Sequence, residues 1–345
     1  MTNKRPNAMS IRFDFLPHTG ESILVTIDKK FTILVDAGNR HPFIREFSRL
    51  KIPVPKLDML IITHIDRDHI GGAISLLKDK EQLANIKYII FNEPDNSRLF
   101  GSPMYDYNVS GKDGDSLLNL LKDTEIKHFW RVHTCSHNVE AELSKLVPRT
   151  SFKILSPDLS ALNELLSVWK PEHYKENNSV SGRVISAPIG SISDLAKAKV
   201  KMDDSIPNKS SIAFLVEHEY MKFLLLGDAH IDVVCRSLRD LGYSENHPLQ
   251  VEFVKLSHHG SCRNMSDEFL SLVRADKYIA VSQRAKGSLP DKKTIAMIAL
   301  IESQRKASKT DFFITKERNN FIDFTSSEKS QYRFDVIDNY TGIEY

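Results

Sequence analysis

Short apolar runs, each ended by a turn or a polar loop, recur along this 345-residue chain with amphipathic stretches between them. Period-two and continuous apolar runs of this length predict strands, whereas apolar residues spaced three and four apart predict helices. Ser22 to Thr26 and Phe31 to Asp36 read as a hairpin turning at Asp28-Lys29-Lys30, and Leu57 to Ile62 as a buried strand. A helix over Ala73 to Lys78, a strand over Tyr88 to Phe91, a helix over Leu117 to Leu121 and a strand over Phe152 to Leu155 follow. Ser156-Pro157-Asp158 then opens a helix with Leu159, Leu162, Leu165, Leu166 and Trp169 on one apolar face. Strands at Ser211 to Val216 and Lys222 to Leu226 precede a helix that buries Ile231, Val234, Leu238 and Leu241. The last third carries a strand at Glu252 to Leu256, a helix around Phe269, Leu270 and Val273, strands at 278–281, 312–315 and 321–324, and a helix over Thr294 to Ile301. Ser102 to Ser116 and Lys170 to Ser181 lack periodicity and read as a surface loop and an exposed insertion.

This alternation of strand and helix predicts an α/β layered fold. No repeat of solenoid length is present, so one domain over 1–345 is expected, with its core at about 10–325 and 326–345 as a tail or edge strand.

Composition narrows the class. With 41% hydrophobic and 27% charged residues the chain can bury a core, and a net charge of +2 offers no global argument for nucleic acid. Lys197, Lys199 and Lys201, and separately Arg284, Lys286, Lys292 and Lys293, are short basic clusters that could meet a phosphate backbone. No apolar run reaches the roughly eighteen residues of a membrane span, and Met1 to Asn7 leads into no apolar signal core, so a cytoplasmic protein without a membrane segment is expected. Cys135, Cys235 and Cys262 are far apart and predict reduced thiols rather than a disulfide framework or a thiolate zinc cluster.

Candidate chemistry concentrates where strands end. Thr-His-Ile-Asp-Arg-Asp-His-Ile-Gly-Gly at 63–72 places His64, Asp66, Asp68 and His69 directly after a buried strand, a nitrogen and oxygen donor set suited to Zn²⁺, Mn²⁺ or Fe. Asp36, Asp228 and the His258-His259 pair follow other apolar strands, so a sheet could bring all of them to one rim.

This ordered series resembles the metallo-β-lactamase superfamily. Gly20 to Leu24, Phe152 to Pro157, Asn208 to Ile212, Leu225 to Asp228 and Leu256 to Ser261 resemble, more specifically, the hydrolase domain of the bacterial DNA-uptake competence channel. The resemblance implies a four-layer αβ/βα sandwich of two mixed sheets flanked by helices. It further implies that His64 and Asp66 bind one ion, that Asp68 and His69 bind another, and that Asp228 bridges both. Either His258 or His259 completes the second position, and Asp36 holds a ligand imidazole through its free N–H.

Two departures bear on activity. Asp66 replaces the superfamily's usual histidine with a harder, anionic donor, which admits Mn²⁺ or Fe beside Zn²⁺ and leaves open one ion or two. The middle histidine of the series has no clear match; His128, His133 and His137 lie in its interval, and each alone reads as an ordinary surface or core residue.

The resemblance implies hydrolysis by a metal-activated hydroxide at phosphorus or at a carbonyl, most simply by a phosphodiesterase or nuclease. The alternatives are hydrolysis of a small ester, lactone or phosphocholine-type diester, and a non-catalytic metal-binding interaction domain. In the enzymatic readings Asp68, His258, His259 and His230 are the candidate catalytic residues, with the non-ligating histidine of the pair, or His230, donating a proton. Ser261, Arg263 and Asn264 could bind phosphate oxygens, although a capping loop explains them as well.

Overall fold

In the computed structural model, which describes residues 10–17, 20–49, 57–79, 83–93, 109–122, 124–147, 149–168, 190–281, 289–305, 308–316 and 322–345, the apolar runs form two seven-stranded sheets. In chain order the strands are β1 (Ile11–Phe15), β2 (Ile23–Ile27), β3 (Phe31–Val35), β4 (Met59–Ile62), β5 (Tyr88–Phe91), β6 (Lys127–Phe129), β7 (Thr150–Ser156) and β8 (Ala213–His218). There follow β9 (Met221–Leu225), β10 (Leu249–Gln250), β11 (Phe253–Lys255), β12 (Val273–Arg274), β13 (Lys277–Ala280), β14 (Thr310–Ile314), β15 (Phe334–Ile337) and β16 (Gly342–Glu344). One sheet runs β16-β1-β2-β3-β4-β5-β6 and the other β15-β14-β13-β11-β9-β8-β7, while β10 pairs with β12 apart from both.

Each sheet is mixed in the same way. β1, β2 and β3 are antiparallel and β3 to β6 parallel, as β7, β8 and β9 are antiparallel and β9, β11, β13, β14 and β15 parallel. Side-chain alternation sorts the strands' residues between layers. Ile23, Val25 and Ile27 of β2 enter a core between the sheets with Phe13, Phe223 and Phe253, while Leu24 joins Leu34, Leu60, Phe43 and Ile70 under the first sheet's helices. On the other side Phe223 and Leu225 face inward, and Leu224 faces Val234, Leu238 and Ile295 of the second helical layer. The ring of Phe13 lies 4.8 Å from those of both Phe223 and Phe253. Burying a ring of this kind contributes about 1.5–3 kcal/mol, and these three fasten sheet to sheet. Helix, sheet, sheet, helix is the expected four-layer order.

Several local expectations change. The polar stretch from Ser102 is helical from Val109, in a helix running Val109–Leu121, because Leu117 and Leu118 anchor one face in the core under the first sheet; 102–108 lie outside the described residues. Ile322 to Phe324 form no strand, and Phe321 is outside the described set. The segment after Thr325 supplies a helix (Ser326–Gln331) and then an edge strand to each sheet, β15 to one and β16 to the other. Leu159 and Leu241, expected in the core, are exposed at the ends of their helices. Trp169, the 170–181 insertion, Arg284 and Lys286 lie outside the described residues.

Parallel pairing of β3 with β4, and of β9 with β11, aligns the carboxyl ends of these four strands. Asp36, His64, Asp228 and the 258–259 pair are the residues that follow them.

Candidate metal centre

Asp36 organises the first half of the rim. It is fully buried, and its Oδ1 accepts from the Thr63 backbone N–H (2.8 Å) while Oδ2 accepts from the Thr63 hydroxyl (2.7 Å) and from His69 Nδ1 (2.7 Å). A hydroxyl has one proton to give. Having donated it to Asp36, Thr63 Oγ1 accepts from His64 Nδ1 at 3.0 Å. One carboxylate thus orients two imidazoles through Nδ1, directly and by way of Thr63, and leaves their Nε2 atoms to face the site.

The break from β4 into the helix Arg67–Lys78 places the acidic candidates. Asp66 is its N-cap residue but makes no side-chain cap bond, and its carboxylate instead stands 3.7 Å from His64 Nε2. Asp68 follows in the first turn, its backbone carbonyl held by the Glu21 N–H at 2.9 Å. A Cβ on Gly20 would sit 2.5 Å from that carbonyl, so only glycine allows this approach.

The second half of the chain brings the rest. Asp228 is buried, its backbone N–H donating to Ser211 Oγ at 3.0 Å. His258 and His259 take φ values of 47° and 55°, the left-handed region that side chains other than glycine rarely occupy. This backbone turns both rings toward Asp228, with His258 Nε2 at 3.8 Å and His259 Nε2 at 4.0 Å from its Oδ2. His259 Nδ1 donates to the Val281 carbonyl at 2.7 Å, leaving Nε2 to face Asp68 Oδ2 at 3.1 Å.

These donors have the spacing of ligands to a shared cation. Two atoms each 2.0–2.1 Å from one tetrahedral ion stand about 3.3 Å apart, and His69 Nε2 to Asp228 Oδ1 is 3.4 Å. His64 Nε2, His69 Nε2 and Asp228 Oδ1 are buried without hydrogen-bond partners among the described residues, a costly state that a cation would relieve. Glu21, His69, Asp228 and His259 offer ligand-type atoms all within 4.8 Å of one another. Burial opposes charge on His69, but Asp228 and Asp36 outweigh it and raise its pKa well above the ordinary value. Burial likewise opposes ionisation of Asp228, and His69, His258 and His259 hold it well below the usual carboxylate range.

His258 belongs to a second network. Its Nδ1 lies 3.3 Å from Asp203 Oδ2 and 3.2 Å from Asn264 Oδ1. Asp203 also accepts from Asn208 (2.7 Å) and Asn264 (3.1 Å), and His230 Nε2 stands 3.8 Å from it. His230 therefore faces Asp203 and not Asp228. Against burial, Asp228 and Asp203 push His258 up to about 9.

Other candidates have local partners instead. His128 Nε2 meets the Phe91 carbonyl at 3.0 Å with Nδ1 near Glu93, His133 Nδ1 accepts from the Cys135 N–H, and His137 faces Glu140. Ser261 caps the short turn at Cys262–Asn264, Arg263 is tied to Asp204 (3.0 Å) and to the carbonyls of Lys201 and Met202, and Asn264 serves Asp203. Lys197, Lys199 and Lys201 are exposed, Lys201 pairing with Asp204, whereas Lys293 is drawn inside to the carbonyls of Leu195 and Ala196.

Glu21, Asp203 and Lys255 stand at the rim without having been picked out by sequence reasoning. Lys255 did leave a signal, a lysine inside an otherwise apolar strand; Asp203 left none among its polar neighbours.

Residues 17–122 match the family model described as the metallo-beta-lactamase superfamily. The fold is α/β, two mixed sheets flanked by helices. Solved structures similar to this chain include the metallo-beta-lactamase fold protein YhfI from Bacillus subtilis, at 10% identity and a TM-score of 0.42, covering 98% of this chain and 99% of that one. Zn²⁺-bound PqqB from Methylobacterium extorquens is similar at 10% identity and a TM-score of 0.44, covering 97% and 99%. A putative metal-dependent hydrolase from Parabacteroides distasonis is similar at 12% identity and 0.41, covering 89% and 93%. No curated protein matches the sequence. Among the described residues no helix is long and apolar enough to cross a membrane.

Proposed function

We propose that this chain is a metallo-β-lactamase-fold, metal-dependent hydrolase of phosphodiesters, with nucleic acid as the leading substrate class. The observation that carries the reading is the convergence of three Nδ1-anchored imidazoles, His64, His69 and His259, on Asp228, with their Nε2 atoms 3.4–4.0 Å from its carboxylate. In this reading Asp68, His69, Asp228 and His259 would hold one cation, and His64 and Asp66, with Asp228, would hold a second. The donor set suits Zn²⁺, with Asp66 widening the choice toward Mn²⁺ or Fe. A cation there supplies Lewis acidity, lowering the pKa of a water and neutralising charge on a phosphoryl oxygen. Asp36 keeps His69 and, through Thr63, His64 in the ligating tautomer. His258, oriented by Asp203 and adjacent to Asp228, holds a proton at Nε2 for the departing oxygen.

Support for a phosphodiester substrate comes from the competence-channel resemblance, whose flanks at Gly20 to Leu24, Asn208 to Ile212 and Leu256 to Ser261 all border the rim. Lys197, Lys199 and Lys201 are exposed and precede Asp203 in the chain. The test is elemental analysis of the purified protein with assays on bis(p-nitrophenyl) phosphate and on single- and double-stranded DNA and RNA. Activity should depend on added Zn²⁺ or Mn²⁺ and disappear in Asp68→Ala and Asp228→Ala. Unchanged activity in both variants would refute this centre, and turnover of the small diester without any cutting of nucleic acid would move the substrate to a small molecule.

A further inference from the structure

Behind the candidate centre lies a buried ion pair that no role above uses. Lys255 ends β11 at 0% exposure, and its Nζ forms a close pair with Glu21 Oε1 and donates to the Gly227 carbonyl at 2.9 Å. Glu21 is 1% exposed and precedes β2 in the opposite sheet. Its backbone N–H holds the Asp68 carbonyl at 2.9 Å, and its Oε2 stands 3.7 Å from His259 Nδ1 without a hydrogen bond among the described residues.

The pair therefore touches every segment that delivers a proposed ligand of the first cation. Gly227 immediately precedes Asp228; Asp68 immediately precedes His69; His259 is touched directly. Glu21 approaches His259 on its Nδ1 side, whereas the ring faces Asp68 and Asp228 with Nε2. Its carboxylate is thus placed behind the ligands and is neutralised by Lys255. A fully buried ion pair is a poor source of stability, since apolar residues of similar volume commonly do as well. What an apolar pair cannot do is hold the carbonyl before Asp228 by a hydrogen bond while setting a carboxylate against the Nδ1 edge of His259.

We propose that Glu21 and Lys255 form a positioning pair that sets the spacing of Asp68, Asp228 and His259 across the two sheets for metal binding. This rests on the metal-centre reading. It separates the pair's effect on the ligands from its effect on folding, and the double variant Glu21→Met/Lys255→Met tests that separation. Two quantities are measured: the urea midpoint of the metal-free protein, and Zn²⁺ affinity by competition with a chromophoric chelator. The expected result is a metal-free midpoint close to that of the unmodified protein with Zn²⁺ bound about 10- to 100-fold more weakly, the range typical for lost partners of metal ligands. Unaltered Zn²⁺ affinity in the double variant overturns the proposal. If the double variant does not fold, Glu21→Gln decides: weaker Zn²⁺ binding and a shifted Co²⁺ absorption band support positioning, and unaltered values overturn it. Asp228→Ala, measured alongside, distinguishes the two failures. If it too binds Zn²⁺ normally, the centre itself is misplaced; if it loses the ion while the pair variants keep it, only the positioning role fails.

Discussion

Replacing Asp36 by asparagine changes one oxygen to an NH₂ group and should disturb two imidazoles at once. The Oδ1 side can be kept, because an amide oxygen still accepts from the Thr63 N–H now at 2.8 Å. The other side reverses. Oδ2 accepts from the Thr63 hydroxyl and from His69 Nδ1, both at 2.7 Å, and an amide nitrogen can only donate to them. His69 then has to present a bare Nδ1 and carry its proton on Nε2, pointing at Asp228. The Thr63 hydroxyl, now accepting from the amide, turns its own proton toward His64 Nδ1, 3.0 Å away, and forces the same exchange there. Loss of one such outer partner typically weakens metal binding about 10- to 100-fold, or about 1.4–2.7 kcal/mol; with two rings affected, the upper end is expected. Two charge-assisted hydrogen bonds become neutral ones, so metal-free stability should also fall, by about 1–3 kcal/mol. Chelator competition with Zn²⁺ and with Mn²⁺, paired with urea unfolding of the metal-free protein, measures both effects. A folded Asp36→Asn protein that binds both ions as tightly as the unmodified chain would refute the tautomer argument and with it the positioning role given to Asp36.

Native labelling with a maleimide should modify Cys135 alone, because burial pushes both Cys235 and Cys262 up to about 12 while Cys135 is exposed; intact mass should show one adduct in buffer and three in urea. Gly72→Ala should destabilise by about 1–3 kcal/mol or more, since the new methyl would fall 2.1 Å from the Ala37 carbonyl and 2.5 Å from the Phe43 ring, and a shift in urea midpoint reads this directly. Burial opposes ionisation of Asp28, but the hydrogen bonds from Arg149 and the Ser10 N–H, with the charges of Arg149 and His218, together outweigh it and leave its pKa below the ordinary carboxylate value. A depressed carboxylate stabilises the fold above its unfolded-state pKa and loses that contribution as pH falls through its folded-state pKa. Asp28→Asn should therefore flatten the acid limb of a midpoint-against-pH profile, and an acid limb of unaltered slope would exclude this contribution.

The layered fold and the rim were legible because they depend on local pattern. Alternation in Ile23 to Ile27 separates Ile23, Val25 and Ile27 from Leu24, and a parallel sheet delivers whatever follows its strands to one end. Asp36, His64 and Asp228 could be picked out for that reason. Which of His258 and His259 turns toward Asp228 could not, because in a strand or a helix successive side chains diverge, and only the left-handed backbone at both residues aims the two rings together. Asp203 was hidden because two of its partners, His258 and Asn264, are brought to it by tertiary folding alone. The helix at Val109–Leu121 was masked by glycine and aspartate, whose low helical preference is overridden by the anchoring of Leu117 and Leu118.

The pairing of β1 with β16 fixes an order of events during synthesis. Arg12 stands opposite Glu344 and Asp14 opposite Gly342, so β1 finds one of its two neighbours only in a segment made long after it. Until then β1 presents an open backbone edge beside Phe13 and Phe15, which belong between the sheets. Contacts of such sequence separation slow folding, and an unpaired apolar edge is where intermediates associate. Removing β16 should therefore be felt first in the yield of soluble protein.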